Sequence, residues 1–185
     1  MDPWEQFVSD VRASECGKLF GTNVVIGRGS RTPKIVFVGE APGEEEDRQQ
    51  KPFVGRSGQM LDEWIAYVGL GADDYYICNV MKTRPPNNRD PTPDEVKLCA
   101  PFLTKQLELL QPQIVVAVGR FAMNYFLPKA KGILSTSGKF FGNVYVVPHP
   151  SYFLRNGGKG WEPYLDGLRE SLRTPRKSNP QTTLV

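Results

Sequence analysis

The chain has 185 residues, 39% of them hydrophobic, and a formal net charge of +3. That length fits one domain with a core of its own, and no apolar run approaches the roughly 18 residues of a membrane span. The mild basic excess permits nucleic-acid binding without requiring it, and three cysteines, Cys16, Cys78 and Cys99, argue against a disulfide scaffold and fit a reducing cytosol.

The opening stretch MDPWEQFVSDVR lacks a basic start followed by an apolar run, so it reads as no signal peptide. It reads instead as a helix start, with Asp2 as cap, Pro3 in the first turn and Glu5 three residues after the cap. KIVFVGEA, Lys34 to Ala41, is a strand that runs into a Pro-Gly turn and four acids, Glu44 to Asp47. In Ser57 to Leu70, Met60, Leu61, Trp64, Ile65 and Val68 share one helical face. YYICNVMK is a second strand, and Thr92 to Glu95 opens a long helix in which Pro101 could cause a bend or a break. QIVVAVG is a third strand, RFAMNYFL a short helix, KFFGNVYVVPHP two short strands around Gly142-Asn143, and WEPYLDGLRESLR a closing helix. The alternation predicts a three-layer α/β/α sandwich around a central, mostly parallel four-stranded sheet. Residues 1–173 form the expected single domain, and the polar tail 174–185 is expected to be disordered.

Polar groups collect where the strands end: Glu40 after the first, Asn79 within the second, and His149, the only histidine, between two prolines after the last. A lone histidine is more often structural, but flanking prolines stiffen the backbone around a ring that must keep one direction. Phe53, in KPFVGRSG, falls outside any period and reads either as a loop anchor or as a platform for a flat ligand. Lys82, Arg84 and Arg89 lie in a proline-rich loop and could meet phosphates, or simply face solvent. No Gly-Lys-Ser/Thr follows the first strand, and GEAPGE lacks the dinucleotide glycine spacing. For the four acids, a solvated helix start favoured by the dipole accounts for most of them.

VGEAPGEEEDRQQKPFVGRSGQML, YYICNVMKTRPPNNRDPTPDEVKLC and HPSYFLR, in this order, resemble the uracil-DNA glycosylase superfamily, most closely its family 4. The resemblance implies an enzyme of DNA repair that flips uracil from single- or double-stranded DNA and hydrolyses its glycosidic bond. It also implies a monomer in the cytoplasm, nucleoid-associated in a prokaryote, with no membrane association. Glu40 and His149 take the catalytic roles it implies: placing water or offsetting the sugar cation, and donating to the uracil carbonyl. Ala41, Gly43, Phe53 and Asn79 form the uracil pocket, with Phe53 stacking and Asn79 reading the base edge. Arg84, Arg89, Ser151 and Arg155 meet DNA, and Phe153 is the apolar wedge. Family 4 carries four cysteines around an iron–sulfur cluster, and here those positions are Ala13, Cys16, Thr83 and Cys99. Two thiols cannot build that cage, so no metal or cofactor is expected. The competing reading is a non-catalytic uracil- or damaged-DNA-binding module, or a polymerase-associated accessory protein.

Overall fold

The structure, a computed structural model, describes residues 1–174. In chain order the elements are α1 (Pro3–Ala13), α2 (Glu15–Lys18), β1 (Arg28–Gly29), β2 (Ile35–Gly39), α3 (Glu44–Gln49) and α4 (Arg56–Tyr67). Then come β3 (Tyr75–Asn79), α5 (Pro93–Leu110), β4 (Ile114–Val118), α6 (Arg120–Phe126) and α7 (Ile133–Thr136). The hairpin of β5 (Lys139–Phe141) and β6 (Val144–Val147) leads to α8 (Pro150–Arg155) and α9 (Glu162–Arg173). The expected tail lies outside the described residues, apart from Thr174.

The strands form one sheet in the order β1-β3-β2-β4-β6-β5. The four inner strands run parallel, as the alternating pattern predicts, and the antiparallel β1 and β5 close the edges. The sheet therefore has six strands rather than four. β1 is two residues long and contains a glycine, so it carries no periodic signal to read.

Successive strand residues point to opposite faces, and both faces are covered. Ile35, Phe37, Val116 and Val147 pack under α4, α8 and α9, where Trp64, Phe153 and Leu168 close the layer. Val36, Val38, Ala117 and Val146 pack against α5 and α6 through Leu103, Leu107 and Met123. The predicted face of α4 is buried from Met60 to Ile65. Truncating Trp64 at its centre would cost about 3–5 kcal/mol.

Thr92 and Glu95 form the predicted capping box, with Thr92 Oγ1 accepting from the Glu95 N–H at 3.3 Å and Glu95 accepting from the Thr92 N–H at 2.8 Å. α5 runs unbroken through Pro101, which stands on the exposed side, where water can serve the carbonyl that loses its partner. Asp2 occupies the cap position of α1, but its side chain pairs with Arg31 at 3.0 Å instead of capping. Gly39, Asn79, Val118 and Val147 end the four parallel strands on one edge of the sheet, where ligands bind in open α/β folds.

Candidate active site

At that edge the loops after β2 and β3 are stitched together. The Val80 N–H donates to Gly39 O at 3.0 Å and the Met81 N–H to Glu40 O at 2.9 Å. Asn79 is 2% exposed, and its Oδ1 has no hydrogen-bond partner. Leaving such an atom buried and unpaired costs about 1–3 kcal/mol, a cost that a ligand can remove. Gly39 makes the space: a Cβ there would come within 2.5 Å of both Asn79 Oδ1 and the Phe53 ring. The Asn79 amide and the Phe53 ring thus meet across a glycine, a close approach the sequence marks only as the last residue of a strand.

Phe53 adopts a left-handed backbone conformation, φ 53°, which is strained for a bulky residue. Its surroundings hold it there. Arg28 donates to Pro52 O at 2.9 Å and Phe53 O at 3.1 Å, and pairs with Asp62 at 2.9 Å. The Glu46 carboxylate accepts from the N–H groups of Val54 and Gly55, both at 3.1 Å. One of the four acids therefore does more than solvate a helix start: it closes the Phe53 loop. The Phe53 ring lies 6.0 Å from that of His149, tilted by 32°.

His149 caps its own helix. The backbone N–H of Ser151 donates to Nδ1 at 3.1 Å, and the Ser151 hydroxyl lies 2.9 Å from the same nitrogen. A nitrogen that accepts an amide proton cannot carry one, so the neutral ring holds its hydrogen on Nε2. Burial, then the charge of Arg155, pushes the imidazole pKa down to about 4, with Glu46 opposing. At neutral pH the ring is an uncharged Nε2–H donor.

His149 shares a cavity of about 480 Å³ with Glu40, Asp90, Arg120, Tyr152 and Arg155. Burial, then the nearby Asp90 charge, raises the Glu40 pKa to about 7, against the pull of Arg120. Arg120 and Asp90 form an ion pair at 2.9 Å. Neither was singled out from sequence, and the charged Arg-Asp pair before Pro91 was the only signal available for Asp90. Phe53 and Asn79 do not line this cavity; they lie behind it, around Gly39.

The other predicted residues divide. Arg155 is exposed at the cavity wall. Ala41 packs towards a small apolar cluster with Met81, and Gly43 caps α3 beside the Glu46 carboxylate. Arg84 is half-buried, bonded to Asn88 at 2.7 Å and 3.8 Å from Glu44. Arg89 is held by two bonds to Glu95, at 2.9 and 2.7 Å, so its charge is already matched. The Ser151 hydroxyl faces His149 rather than open solvent. Two expectations are overturned. Phe153 is 3% exposed and packs edge-on against Trp64, so it is core and cannot serve as a surface wedge. Lys82 is fully buried and out of reach of any phosphate.

Cys16 and Cys99, whose separation in space the sequence leaves open, are joined by a disulfide, with Cα atoms 5.2 Å apart; Cys78 is a buried free thiol. Thr83 Oγ1 donates to Cys16 O at 3.4 Å. Among the described residues no group of three or more His, Cys, Asp or Glu is placed to hold a metal ion. With three cysteines in the chain and two of them bonded to each other, these residues do not fit a four-thiolate iron–sulfur cluster.

Fold and site together define a three-layer α/β protein with a cavity at the carboxyl edge of its sheet, lined by Glu40 and His149. The chain belongs to the uracil DNA glycosylase superfamily, whose sequence profile matches residues 26–173. It is 48% identical to a type-4 uracil-DNA glycosylase of Thermotoga maritima over 73% of each chain. It is 42% identical to one of Sulfurisphaera tokodaii over 96% of this chain and 88% of that one. A DNA polymerase of Bacillus phage SP01 is 33% identical over 75% of this chain, a stretch that makes up 15% of the polymerase.

Proposed function

We infer that the chain excises uracil from DNA, hydrolysing the N-glycosidic bond of a flipped-out deoxyuridine and leaving an abasic site. The observation that carries this is Asn79: an almost fully buried amide with an unpaired oxygen, set against the Phe53 ring. An amide offers a donor and an acceptor side by side, which matches the polar edge of uracil. In this reading Phe53 stacks on the base, and Gly43 and Ala41 leave room beside it.

As the bond breaks, its electron pair passes to the base and negative charge develops on the uracil carbonyl oxygens. His149 Nε2–H donates to one of them, and its bond strengthens as that charge grows. The sugar left behind is cationic. Glu40, ionised above its raised pKa of about 7, offsets that charge and directs water to the sugar carbon. Arg155 and Arg84 meet backbone phosphates, and Tyr152, in the cavity wall, takes the place at the DNA that Phe153 cannot. The reaction needs no iron–sulfur cluster. The disulfide joins α2 to α5 where the cluster would have done so, and the purified protein is colourless.

The protein acts as a monomer, on single or double strands. Among the described residues no helix is long and apolar enough to cross a membrane. The pocket sequences GEAPG, ICN and PHPS contain no lysine, so no amine attacks the sugar and borohydride traps no adduct.

Oligonucleotides carrying one uracil, hypoxanthine or G·T mismatch, treated with alkali after incubation, test the proposal. Strand cleavage at uracil is the expected result. Retained binding without cleavage at any base would favour the second reading, an accessory module of the kind the polymerase relative suggests.

A further inference from the structure

Lys82 is a lysine buried completely, and among the described residues no carboxylate lies within ion-pair distance of it. Its ammonium form would be costly there, and burial pushes its pKa down. What Nζ does have is two carbonyl acceptors: Asn79 O at 2.7 Å and Gln106 Oε1 at 2.6 Å. Both acceptors are within hydrogen-bond distance of Nζ, which donates to them.

The first contact falls on the peptide that joins Asn79 to Val80. Its oxygen is held by Lys82 Nζ, and its N–H is held by Gly39 O at 3.0 Å. Both polar atoms of one peptide plane are therefore fixed, from opposite sides. This matters because the Asn79 side-chain oxygen has no partner of its own in the free protein. The direction of the amide is set by the backbone that carries it, and that backbone is set by Lys82. The lysine is itself anchored. Its carbonyl accepts from the Val25 N–H at 2.7 Å, and Gln106 is held in turn by donating to Ile26 O at 2.9 Å. A chain of contacts thus runs from α5 to the segment before β1, then through Lys82 to Asn79.

We propose that Lys82 is a positioning residue for uracil recognition: from behind the pocket it fixes the Asn79 peptide, and so aims the amide that reads the base. The inference rests on the reading of Asn79 given above. It assigns the lysine no contact with substrate and no proton transfer.

The test is a double-mutant cycle between Lys82→Met and Asn79→Ala, read by single-turnover excision from a uracil oligonucleotide, with Tm measured alongside. Methionine keeps the volume and apolar stem of lysine but cannot donate. Lys82→Met is expected to lower the maximal single-turnover rate by about tenfold, with a smaller change in DNA affinity, because misaimed groups lose most in the transition state. In the Asn79→Ala background the same substitution should change the rate less than twofold, since its target is already gone. Equal losses in both backgrounds would overturn the proposal, as would a native rate in Lys82→Met alone. A fall in Tm with the rate intact would reduce Lys82 to a structural role. Should Lys82→Met not fold, Gln106→Leu replaces it in the same cycle. It loosens the anchor of the lysine without touching the Asn79 turn, and the same non-additivity is expected, on a smaller loss. Absence of uracil excision by the unmutated protein would refute the function itself, whereas a failed cycle with an active parent refutes only the role of Lys82.

Discussion

Two regions of this molecule meet near Ala41 and Met81, where the loops after β2 and β3 are joined, and they are built on opposite terms. On one side is the apolar knot of Cys16, Cys99 and Met81, buried and closed by a disulfide, with Phe20 and Phe102 packed around it. On the other is the pocket, where polar atoms are left unmet and backbone is held in a sparsely populated region. Asn79 Oδ1 has no partner, Phe53 sits at φ 53°, and Glu40 is kept partly protonated by burial and by Asp90. The knot lowers the free energy of the folded chain and does no chemistry. The pocket raises it, and that is the form a site takes when a ligand is to supply the missing contacts. Substitutions in the pocket should therefore cost activity and spare or improve stability; substitutions in the knot should do the reverse.

The largest effect is expected from His149→Ala. Losing one donor to a developing oxyanion costs on the order of a hundredfold or more in rate, with DNA binding little changed, as single-turnover kinetics and a binding titration would measure. Near-native turnover would remove the histidine from the mechanism.

Glu40→Gln comes next, with a loss on the order of a hundredfold that carries a pH signature. The parent rate should rise with pH through about 7, as Glu40 ionises, and the variant should lose that limb. The stability sign follows from the same shift. The folded pKa of about 7 exceeds the ordinary 4.5, so the folded state binds the proton more tightly and stability falls as pH rises between the two. Glu40→Gln removes that fall, and should raise Tm at pH 8 more than at pH 5. A Tm gain that is equal at both pH values would separate Glu40 from the strain assigned to it.

The knot gives the complementary result. Cys16→Ser opens a crosslink between residues 83 apart in sequence, which by chain entropy is worth up to about 4–5 kcal/mol and typically about 2–4. Tm should fall by several degrees, while excision at 25 °C stays within about twofold. A large loss of rate in a folded Cys16→Ser protein would mean that knot and pocket are one unit.

The smallest effect is Arg155→Ala, which should weaken binding to all sequences alike and reduce the salt slope by about one ion. No change in slope would leave Arg155 off the DNA.

Much of this division was legible in the sequence, for identifiable reasons. The four parallel strands are continuous apolar runs, and such runs are readable without partners. Glu40, Asn79 and His149 are polar residues at the ends of such runs, so topology alone brings them to one edge. What escaped was whatever depends on contacts between distant segments. Phe153 sits in the same motif as His149, yet the helical turn of α8 directs it into the core against Trp64. Lys82 and Arg84 look alike in a basic loop, but one is buried under α5 and the other is half-buried beside α3. The disulfide needed the distance between two segments 83 residues apart, which composition does not contain. Glu44 faces Arg84 and Glu45 faces Arg48, whereas Glu46 faces the Phe53 loop, because successive positions around a helix meet different neighbours.

In this mechanism His149 is a neutral donor through Nε2 at working pH. The chain has a single histidine, so its ring nitrogens give unambiguous signals in a nitrogen-15 NMR titration. A neutral ring with the proton on Nε2 is expected from pH 8 down to about 5, with a midpoint near the depressed value of about 4. A midpoint at the ordinary 6.5, or a proton resting on Nδ1, would contradict it.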